Sequence, residues 1–349
     1  MNAKTRKITT NTQNEYFTAV HNIIQNCMRV TPKDRVIIIT DEEREDIGSA
    51  IFSESVKLAE SKILKIEDFV KRPAKEFPIR FRKAILEFAP SVSIYAATGQ
   101  TGELESFRFK LIDLLTKDIK CRHGHMINID SKIMLDGMSQ DYAQIYKATH
   151  KLHRILSGAR VINVTDPHGT NLEVLLSQDP TRKWKASDGV PTKPGDWTNL
   201  PDGEIFTCPE KVNGQVVAWE LGDYFSQKYG VLEKPITLTI KDSFVINVHS
   251  ENKTIQKELE EYLSRQENGN RMGEFAIGCL LGLRGLIGNL LQDEKFPGVH
   301  MAFGHPYAEH TGQKDWDCQT HVDVIPLNVT ALVNGKPLLK DGVFVSKLV

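Results

Sequence analysis

Short apolar runs alternate with stretches of helical periodicity along the first half of the chain. Residues 35–40 form a continuous apolar run of the length typical of buried parallel strands. Similar runs predict strands at residues 62–66, 91–96 and 126–129. The intervening stretches predict helices at residues 16–28, 47–61, 77–88, 101–116 and 139–157. This alternation predicts an open α/β domain with a mostly parallel sheet.

The pattern changes near residue 161. Residues 177–203 are rich in proline and turn residues and are expected to be loops. After them the chain alternates with the β period, and strands are predicted at residues 214–219, 236–240 and 244–249. The sequence therefore predicts an N-terminal α/β domain at residues 1–160. A C-terminal metal-binding domain of mixed α+β structure is expected at residues 161–349.

Glycines recur three or four residues apart between residues 275 and 291, at Gly278, Gly282, Gly285 and Gly288. This spacing would place them on one face of a helix, where another backbone could approach closely. The segment is short for a membrane span and contains Arg284. It is therefore predicted to be a buried, closely packed helix, and such packing favours a homodimer.

The composition is that of a globular protein without a marked charge imbalance. The 349 residues are 40% hydrophobic and 26% charged, and the formal net charge is −1. This balance predicts no nucleic-acid partner and no membrane partner. The five cysteines are scattered without a CxxC spacing, which favours reduced thiols. Because the N-terminal stretch is polar and no apolar signal segment follows it, a cytoplasmic location is expected.

The candidate chemistry begins with His321 and Asp323, which lie two residues apart in a β-branched stretch. On a strand both side chains would point to the same face, with Val322 and Val324 on the other face. Zinc, iron, cobalt and manganese sites all accept this pair of ligands. A hydrogen-bonded His–Asp pair without a metal is the alternative interpretation.

Further candidate residues lie upstream, in settings typical of active-site loops. A Pro-Asp-Gly turn precedes Glu204 at the start of a short apolar strand, and Glu274 comes directly before the predicted glycine-rich helix. Glu294 and His300 follow, and Tyr307 lies seven residues beyond the histidine. Any one of these residues alone would be weak evidence, because glutamates in turns are usually solvated.

A second histidine pair, His123 and His125, occurs in the first half of the chain. Two imidazoles on one face of a strand can bind a transition metal. The pair has no carboxylate close to it in the sequence. A structural role is therefore the favoured interpretation.

Taken together, the motifs of the second half resemble those of a known enzyme family. The motifs are NLPDGEIFTCP (199–209), MGEFAIG (272–278), DEK (293–295), VHMAFG (299–304) and HVD (321–323). In this order they resemble the metalloaminopeptidases typified by aminopeptidases T and S, and the resemblance covers most of the chain. It implies a dinuclear metal centre, a short peptide substrate, and a homodimer whose subunits combine an α/β domain with a metal-binding domain.

The resemblance also implies roles for individual residues. Tyr307 matches the catalytic tyrosine, which would donate a hydrogen bond to a tetrahedral oxyanion. Glu274 is expected to carry a proton to the leaving amine, and one carboxylate would bridge two divalent ions of zinc, cobalt or manganese. The positions that match metal-site residues are Glu204, Glu274, Glu294, His300, His321 and Asp323.

Two alternatives remain open. The chain has Gln319 and Thr320 where the peptidases commonly have a serine pair, and residues 324–328 also resemble a related branch of ring-cleaving dioxygenases that act on dihydroxypyridine. That branch has histidine at the position of Glu274, which with the HVD motif would form a mononuclear site of two histidines and one carboxylate for iron. The other alternative is a metal-free binding or scaffold protein, which would be expected to have lost several of the site residues.

Overall fold

The computed structural model describes residues 15–222 and 224–349. The chain forms two compact units. Of the described residues, the first unit comprises those up to Tyr142 together with Gly189–Asp202, and the second comprises Ala143–Asp188 together with those from Gly203 onward. Across the described residues, the helices are too short or too polar for any of them to cross a membrane.

Strands are the main elements of the described residues. In chain order they are β1 (Arg35–Thr40), β2 (Glu60–Lys65), β3 (Val92–Ala97), β4 (Arg122–Ile127), β5 (Val161–Thr165), β6 (Asn171–Leu175), β7 (Lys185–Ser187), β8 (Trp197–Asn199), β9 (Glu204–Thr207), β10 (Lys211–Ala218), β11 (Glu220–Leu221), β12 (Ile236–Lys241), β13 (Phe244–Ser250), β14 (Met272–Gly278), β15 (Gly298–Gly304), β16 (His321–Ile325), β17 (Thr330–Val333), β18 (Lys336–Lys340) and β19 (Val343–Phe344).

The helices of the described residues are mostly short. In chain order the α-helices are α1 (Phe17–His21), α2 (Glu45–Ser55), α3 (Ile79–Phe88), α4 (Phe109–Asp113), α5 (Ser131–Leu135), α6 (Tyr142–Leu156), α7 (Tyr224–Tyr229), α8 (Lys253–Leu263), α9 (Leu290–Asp293) and α10 (Ala308–Thr311). Single π-helical turns occur at Asn22–Cys27, Leu104–Arg108 and Leu114–Asp118, and 3₁₀ turns at Glu42–Arg44, Ile66–Asp68 and Gly137–Ser139.

The first unit is built on a parallel sheet. Its strand order is β2-β1-β3-β4-β8, and each neighbouring pair is parallel. The apolar run of β1 contributes Ile37 and Ile39 to a core that also contains Tyr95, Phe81 and Phe107. Helical segments separate the strands along the chain, as expected for parallel connections. The predicted α/β fold with a mostly parallel sheet is confirmed.

A buried ion-pair network lies at the carboxyl ends of β1 and β3. Arg72 Nη1 donates to Asp41 Oδ2 at 2.6 Å, and Arg72 Nη2 donates to Glu103 Oε2 at 2.5 Å. The backbone N–H of Thr98 also donates to Asp41 Oδ2, at 2.7 Å. Open α/β sheets often bind ligands at this edge. Because the buried guanidinium has carboxylate partners on two sides, we interpret the network as structural.

The histidine pair of the first unit is also structural. His123 Nδ1 lies 2.8 Å from Ser93 Oγ, and His123 Nε2 lies 3.2 Å from His125 Nδ1. The ring of His125 stacks on Tyr95 with 4.9 Å between the centroids. Burial lowers the pKa of His123 to about 3 and holds the pKa of His125 well below its usual value, so both rings are neutral near pH 7. Among the described residues, His123 and His125 are not part of any group of three donor side chains close enough to hold a metal ion.

The second unit contains two antiparallel sheets. The larger has the order β13-β12-β10-β6-β5-β17-β18-β19, and the smaller has the order β11-β16-β15-β14-β9-β7. Val164 and Leu172 of the larger sheet share one hydrophobic core with Phe275, Met301 and Val322 of the smaller sheet. The mixed α+β architecture predicted for the C-terminal half is confirmed.

The observed units differ from the boundary predicted near residue 160. Helix α6 lies almost wholly in the second unit, because Ala148, Leu152 and Leu156 pack in the same core as Ile162. Residues 189–202, expected to be a loop, return to the first unit and add β8 to its sheet. The chain therefore passes between the units three times, which a single shift in composition does not reveal.

The helix predicted between residues 275 and 291 does not form. Residues up to Gly278 belong to β14, which pairs with β9 on one side and β15 on the other. The chain is then irregular until α9 begins at Leu290. Strand pairing on both sides satisfies the backbone of β14 and outweighs the helical spacing of the glycines. The glycine pattern therefore gives no support for a homodimer.

Candidate metal centre

Four neighbouring strands of the smaller sheet deliver most of the candidate ligands. Glu204 is the first residue of β9, Glu274 lies in β14 and His300 lies in β15. His321 and Asp323 lie in β16. Side chains alternate along a strand, so the residues next to these ligands point to the opposite face of the sheet. Those intervening residues (Phe275, Ile277, Met301, Phe303, Val322 and Val324) belong to the hydrophobic core.

Small residues keep space open on the face that carries the ligands. Ala302 lies between Glu274 and Asp323 in the register of the three adjoining strands, and Ala276 lies opposite His300. The remaining small residues of this face are Gly278, opposite Glu204, and Gly304, opposite His321. The sheet thus forms a polar cavity floored by alanine and glycine and backed by the apolar core.

One donor group is formed by Glu204, Glu274 and His300, which are almost fully buried. His300 Nε2 lies 3.3 Å from Glu204 Oε2 and 3.4 Å from Glu274 Oε1. Two ligands of one tetrahedral or octahedral ion lie about 3.0–3.4 Å apart when each is about 2.1 Å from the metal. His300 is therefore spaced from each of the two carboxylates as two ligands of one ion would be.

The other oxygen of Glu274 faces a second imidazole. His321 Nε2 lies 3.8 Å from Glu274 Oε2 and 3.6 Å from Asp323 Oδ1. His321 Nδ1 lies 3.3 Å from the carbonyl oxygen of His305, and a bond between these atoms would leave Nε2 as the nitrogen that faces the carboxylates. Glu274 therefore lies between two imidazoles, with one oxygen toward each.

Glu294 follows helix α9 and approaches the cavity from outside the sheet. Together with His300 and Asp323 it forms a second donor group, within 4.8 Å of one another. Burial raises the pKa of Glu294 to about 8, because the charges of Glu204 and Asp323 add to the effect of burial while Lys295 only partly offsets it.

Four carboxylates lie close together in the cavity and shift the pKa values of their neighbours. They belong to Glu204, Glu274, Glu294 and Asp323. Burial by itself would raise the pKa of Glu204, but the ammonium of Lys295 and the imidazole of His300 outweigh it and lower the pKa to about 2. Burial by itself would lower the pKa of His300, but Glu204 and Glu274 raise it to about 10. The cavity thus attracts positive charge strongly.

The residues fit a divalent metal ion. Glu204 Oε2 and His300 Nε2 are buried atoms without a hydrogen-bond partner in the described residues, although they face each other. Buried polar atoms are rarely left unsatisfied, because each costs about 1–3 kcal/mol. Carboxylate and imidazole donors without thiolate suit zinc, cobalt, manganese or iron. A cation bound between these atoms would satisfy both.

Tyr307 lies beside the ligands on a strained backbone. Its φ and ψ angles are 48° and 55°, in the left-handed region that non-glycine residues rarely adopt. Its ring lies 5.0 Å from that of His321 and 5.8 Å from that of Phe206. Burial and the negative charge of Glu274 raise the pKa of Tyr307, which keeps its hydroxyl able to donate a hydrogen bond. Strain of this kind is concentrated at functional sites.

A second layer of acidic residues supports the approach of Glu294. The carboxylate of Asp293 accepts backbone N–H groups from Ile287, Gly288 and Asn289 at 2.7–3.1 Å. Burial and the neighbouring Asp293 raise the pKa of Glu220 to about 10. Asp293 thereby holds the irregular segment before α9 in place, and with it the position of the next residue, Glu294.

The structure brings together the residues singled out in the second half of the chain. Glu204, Glu274, His300 and Asp323 belong to the two donor groups, and His321 lies within 3.8 Å of Glu274 and 3.6 Å of Asp323. The alternating sides predicted for the HVD motif are confirmed. Sequence reasoning missed Lys295, Asp293 and Glu220. A lysine directly after a candidate ligand, in the DEK motif, was the available signal for the first of these. Glu220 had no comparable signal.

Two kinds of known protein are similar to this chain. The family of 2,5-dihydroxypyridine 5,6-dioxygenase (NicX) matches residues 121–276, which is less than half of the chain. The matched range includes Glu204 and Glu274 and ends before the other candidate ligands. No match was found among curated proteins.

Solved structures of both kinds share the fold. The 2,5-dihydroxypyridine dioxygenase from Pseudomonas putida KT2440 has a TM-score of 0.67 and 14% identity, with coverage of 97% of this chain and 99% of that chain. Wild-type AmpT from Thermus thermophilus has a TM-score of 0.66 and 17% identity, with coverage of 96% of this chain and 99% of that chain. At these identities the similarity establishes the fold of the chain, which is the two-unit fold common to both proteins.

Proposed function

We propose that the chain is a metal-dependent hydrolase of the metalloaminopeptidase type, which removes the N-terminal residue from short peptides. The position of Glu274 carries this proposal. Its two oxygens lie 3.4 Å from His300 Nε2 and 3.8 Å from His321 Nε2. A carboxylate that faces two imidazoles, one with each oxygen, is placed to bridge two cations. The dinuclear centre of a hydrolase needs such a bridge.

In this proposal the donors divide between two positions that share Glu274. Glu204 and His300 would complete one, and His321 and Asp323 the other, with Glu294 next to both. The two donor groups found among the described residues share His300 instead, and His321 contacts Glu274 and Asp323 from outside both groups. When bound, divalent ions supply the Lewis acidity that activates water and polarises a peptide carbonyl. Zinc, cobalt or manganese suit these ligands.

The chain's own residues would perform the remaining steps. One of the buried carboxylates would accept a proton from the attacking water and pass it to the leaving amine. Glu274 is free for this step only where one of its oxygens is not bound to a cation. Tyr307 would donate a hydrogen bond to the oxyanion of the tetrahedral intermediate. The apolar core behind the sheet keeps the polar cavity dry on one side, which strengthens these electrostatic interactions.

A mononuclear iron dioxygenase that opens a dihydroxypyridine-like ring is the second candidate function. The family match over residues 121–276 and the similar fold of a dihydroxypyridine dioxygenase favour it. His321 and Asp323 would supply two iron ligands, but the resemblance described above places a second imidazole, the third ligand, at position 274. This chain has a glutamate there. Because that substitution adds charge where the hydrolase needs it, we favour the hydrolase.

The partner and location of the protein also remain proposals. A short peptide is the proposed substrate, and a homodimer in the cytoplasm is the proposed working form. The homodimer now depends on the family resemblance alone, because the glycine-rich helix does not form. Sedimentation equilibrium of the purified protein tests it, and a monomer with full activity would contradict it.

Metal analysis combined with two assays tests the proposed function. The purified protein is analysed for bound metal and then assayed for release of p-nitroaniline from leucine or alanine p-nitroanilide with zinc, cobalt or manganese. Oxygen uptake on 2,5-dihydroxypyridine with ferrous iron is measured in parallel. We expect about two ions per chain and peptide hydrolysis. One iron per chain with oxygen uptake and no hydrolysis under any metal would favour the dioxygenase.

A further inference from the structure

A fully buried lysine lies inside the candidate metal centre. Lys295 is 0% exposed, and its Nζ lies 3.0 Å from Glu204 Oε1 and also contacts Glu294 Oε1. A lysine is almost never fully buried unless its charge is paired. Here both partners are themselves candidate metal ligands, so the ammonium belongs to the centre.

The backbone fixes Lys295 in this position. Its N–H donates to Gln292 O at 2.9 Å, and its carbonyl oxygen accepts from Leu280 N at 3.0 Å. A Cβ at Gly278 would lie 2.7 Å from the carbonyl carbon of Lys295, so the backbone can approach β14 this closely only because residue 278 is glycine. The ammonium therefore enters the centre from a rigid segment.

The ammonium of Lys295 contacts Glu204, which belongs to one proposed metal position alone, and Glu294, which lies next to both. Its ammonium occupies one oxygen of Glu204, while the other oxygen faces His300. The position at His321 and Asp323 is defined instead by an imidazole–carboxylate pair 3.6 Å apart. A fixed positive charge repels a cation more strongly at shorter distance, and a buried site screens this repulsion poorly.

We propose that Lys295 is a resident cation of the centre that weakens metal binding at the position of Glu204 and His300 relative to that of His321 and Asp323. The inference rests on the proposed metal-dependent function, whose ligands it uses. The centre then loads in two steps, with a tight first ion and an exchangeable second ion. Lys295 also holds Glu204 so that only one of its oxygens is available to the metal.

Metal titration of lysine variants tests this inference. Metal-stripped protein is titrated with Mn²⁺ or Zn²⁺ in competition with a chromophoric chelator, which reports the number and affinity of the bound ions. For the wild type we expect two steps that differ by about tenfold or more. Lys295→Met removes the charge and should lower the dissociation constant of the weaker step by about tenfold or more. Lys295→Arg keeps the charge, so the dissociation constants of the two steps should stay as different as in the wild type.

Controls separate the charge effect from misfolding. Lys336→Met removes an exposed lysine of the same unit and should leave both steps unchanged. Circular dichroism checks that each variant is folded, and Lys295→Gln replaces Lys295→Met if the latter does not fold.

The outcomes for the inference and for the proposed function differ. An unchanged or weakened second step in folded Lys295→Met or Lys295→Gln overturns the inference. One ion in the wild type and two in the neutral variant would support the inference and contradict a dinuclear wild-type enzyme. No divalent ion in the wild type or any variant would overturn the proposed function, and the inference with it.

Discussion

Glu204 Oε2 and His300 Nε2 face each other across 3.3 Å inside the protein, and neither atom has a hydrogen-bond partner in the described residues. Without a metal, the protonated imidazole pairs with the carboxylate, which the raised pKa of His300 favours. A metal ion that accepts both atoms as ligands would take the place of that proton. The pair is therefore the most direct structural sign of a metal-binding function in this chain.

Metal removal should destabilise the protein. A ligand that binds the folded state alone stabilises it by about 2.7 kcal/mol at 100 times its dissociation constant. We expect the melting temperature of chelator-treated protein to rise when Zn²⁺ or Mn²⁺ is restored. His300→Ala should lose this rise, whereas His249→Ala, at an exposed histidine of the same unit, should keep it. An equal rise in His300→Ala would exclude His300 as a ligand.

Glu274→Gln should remove the bridging charge while keeping the shape of the side chain. We expect the variant to bind one metal ion fewer and to hydrolyse peptides roughly 10³-fold more slowly, an effect typical of a lost catalytic electrostatic group. Metal content and p-nitroanilide hydrolysis are measured on the same preparation. Glu274→His should also abolish hydrolysis, while leaving a possible iron site with His321 and Asp323. Hydrolysis that survives Glu274→Gln would contradict the bridging role.

Tyr307→Phe should lower kcat with little change in metal content. The phenol donates a hydrogen bond that forms fully only in the transition state, and loss of one such donor costs about 10²–10³-fold. Phenylalanine differs from tyrosine only by the hydroxyl group and meets the same positive φ at residue 307, so the substitution tests the hydroxyl group alone. Steady-state kinetics and metal analysis check this expectation. A change in KM with unchanged kcat would assign Tyr307 to substrate binding instead.

Gly222→Ala should disturb a ligand without touching the cavity. A Cβ at Gly222 would lie 2.5 Å from Asp323 Oδ2 and 2.7 Å from Asp323 N, so the carboxylate must move. We expect metal affinity to fall about tenfold or more, as is typical when the support of a ligand is lost. Gly285→Ala is the matched control, since a Cβ there meets no atom within 4 Å. Equal metal affinity in both variants would show that Asp323 is not a ligand.

The buried histidines predict a pH dependence of stability. The pKa of His123 is lowered to about 3 in the folded protein, whereas an unfolded histidine has a pKa of about 6.5. Between these pH values the unfolded state binds one more proton, so stability is complete above pH about 6.5 and falls as the pH decreases. His123→Gln should remove about 1.4 kcal/mol per pH unit from the slope in this range. Urea unfolding at several pH values measures both slopes, and identical slopes would mean that His123 is not neutral in the folded state.

Local patterns determined much of the fold. The apolar run at residues 35–40 and the β-branched stretch around His321 became strands because their side chains suit a buried, pleated surface. The same period of two placed His321 and Asp323 together and turned Val322 and Val324 into the core. His321 and Asp323 were therefore identifiable from type and spacing, whereas the other residues of the candidate centre were identified through the resemblance of their motifs to a known family.

Only the tertiary structure decided how these segments combine. The glycines between residues 275 and 291 suit a helix by spacing, but β14 gains more from pairing on both sides than an isolated helix would gain. Likewise, the return of residues 189–202 to the first unit depends on the pairing of β8 with β4. Neither contact is encoded by neighbours in the sequence.

The candidate centre shows the same division. The sequence by itself determined which side chains could bind a cation, since residue chemistry does not depend on the fold. Tertiary structure decided that Glu274 faces two imidazoles and that the ammonium of Lys295 lies against Glu204. These relationships join residues from four strands and a short turn. They arise from strand register and burial, because pairing across the sheet sets the distances and exclusion of water gives the charges their strength.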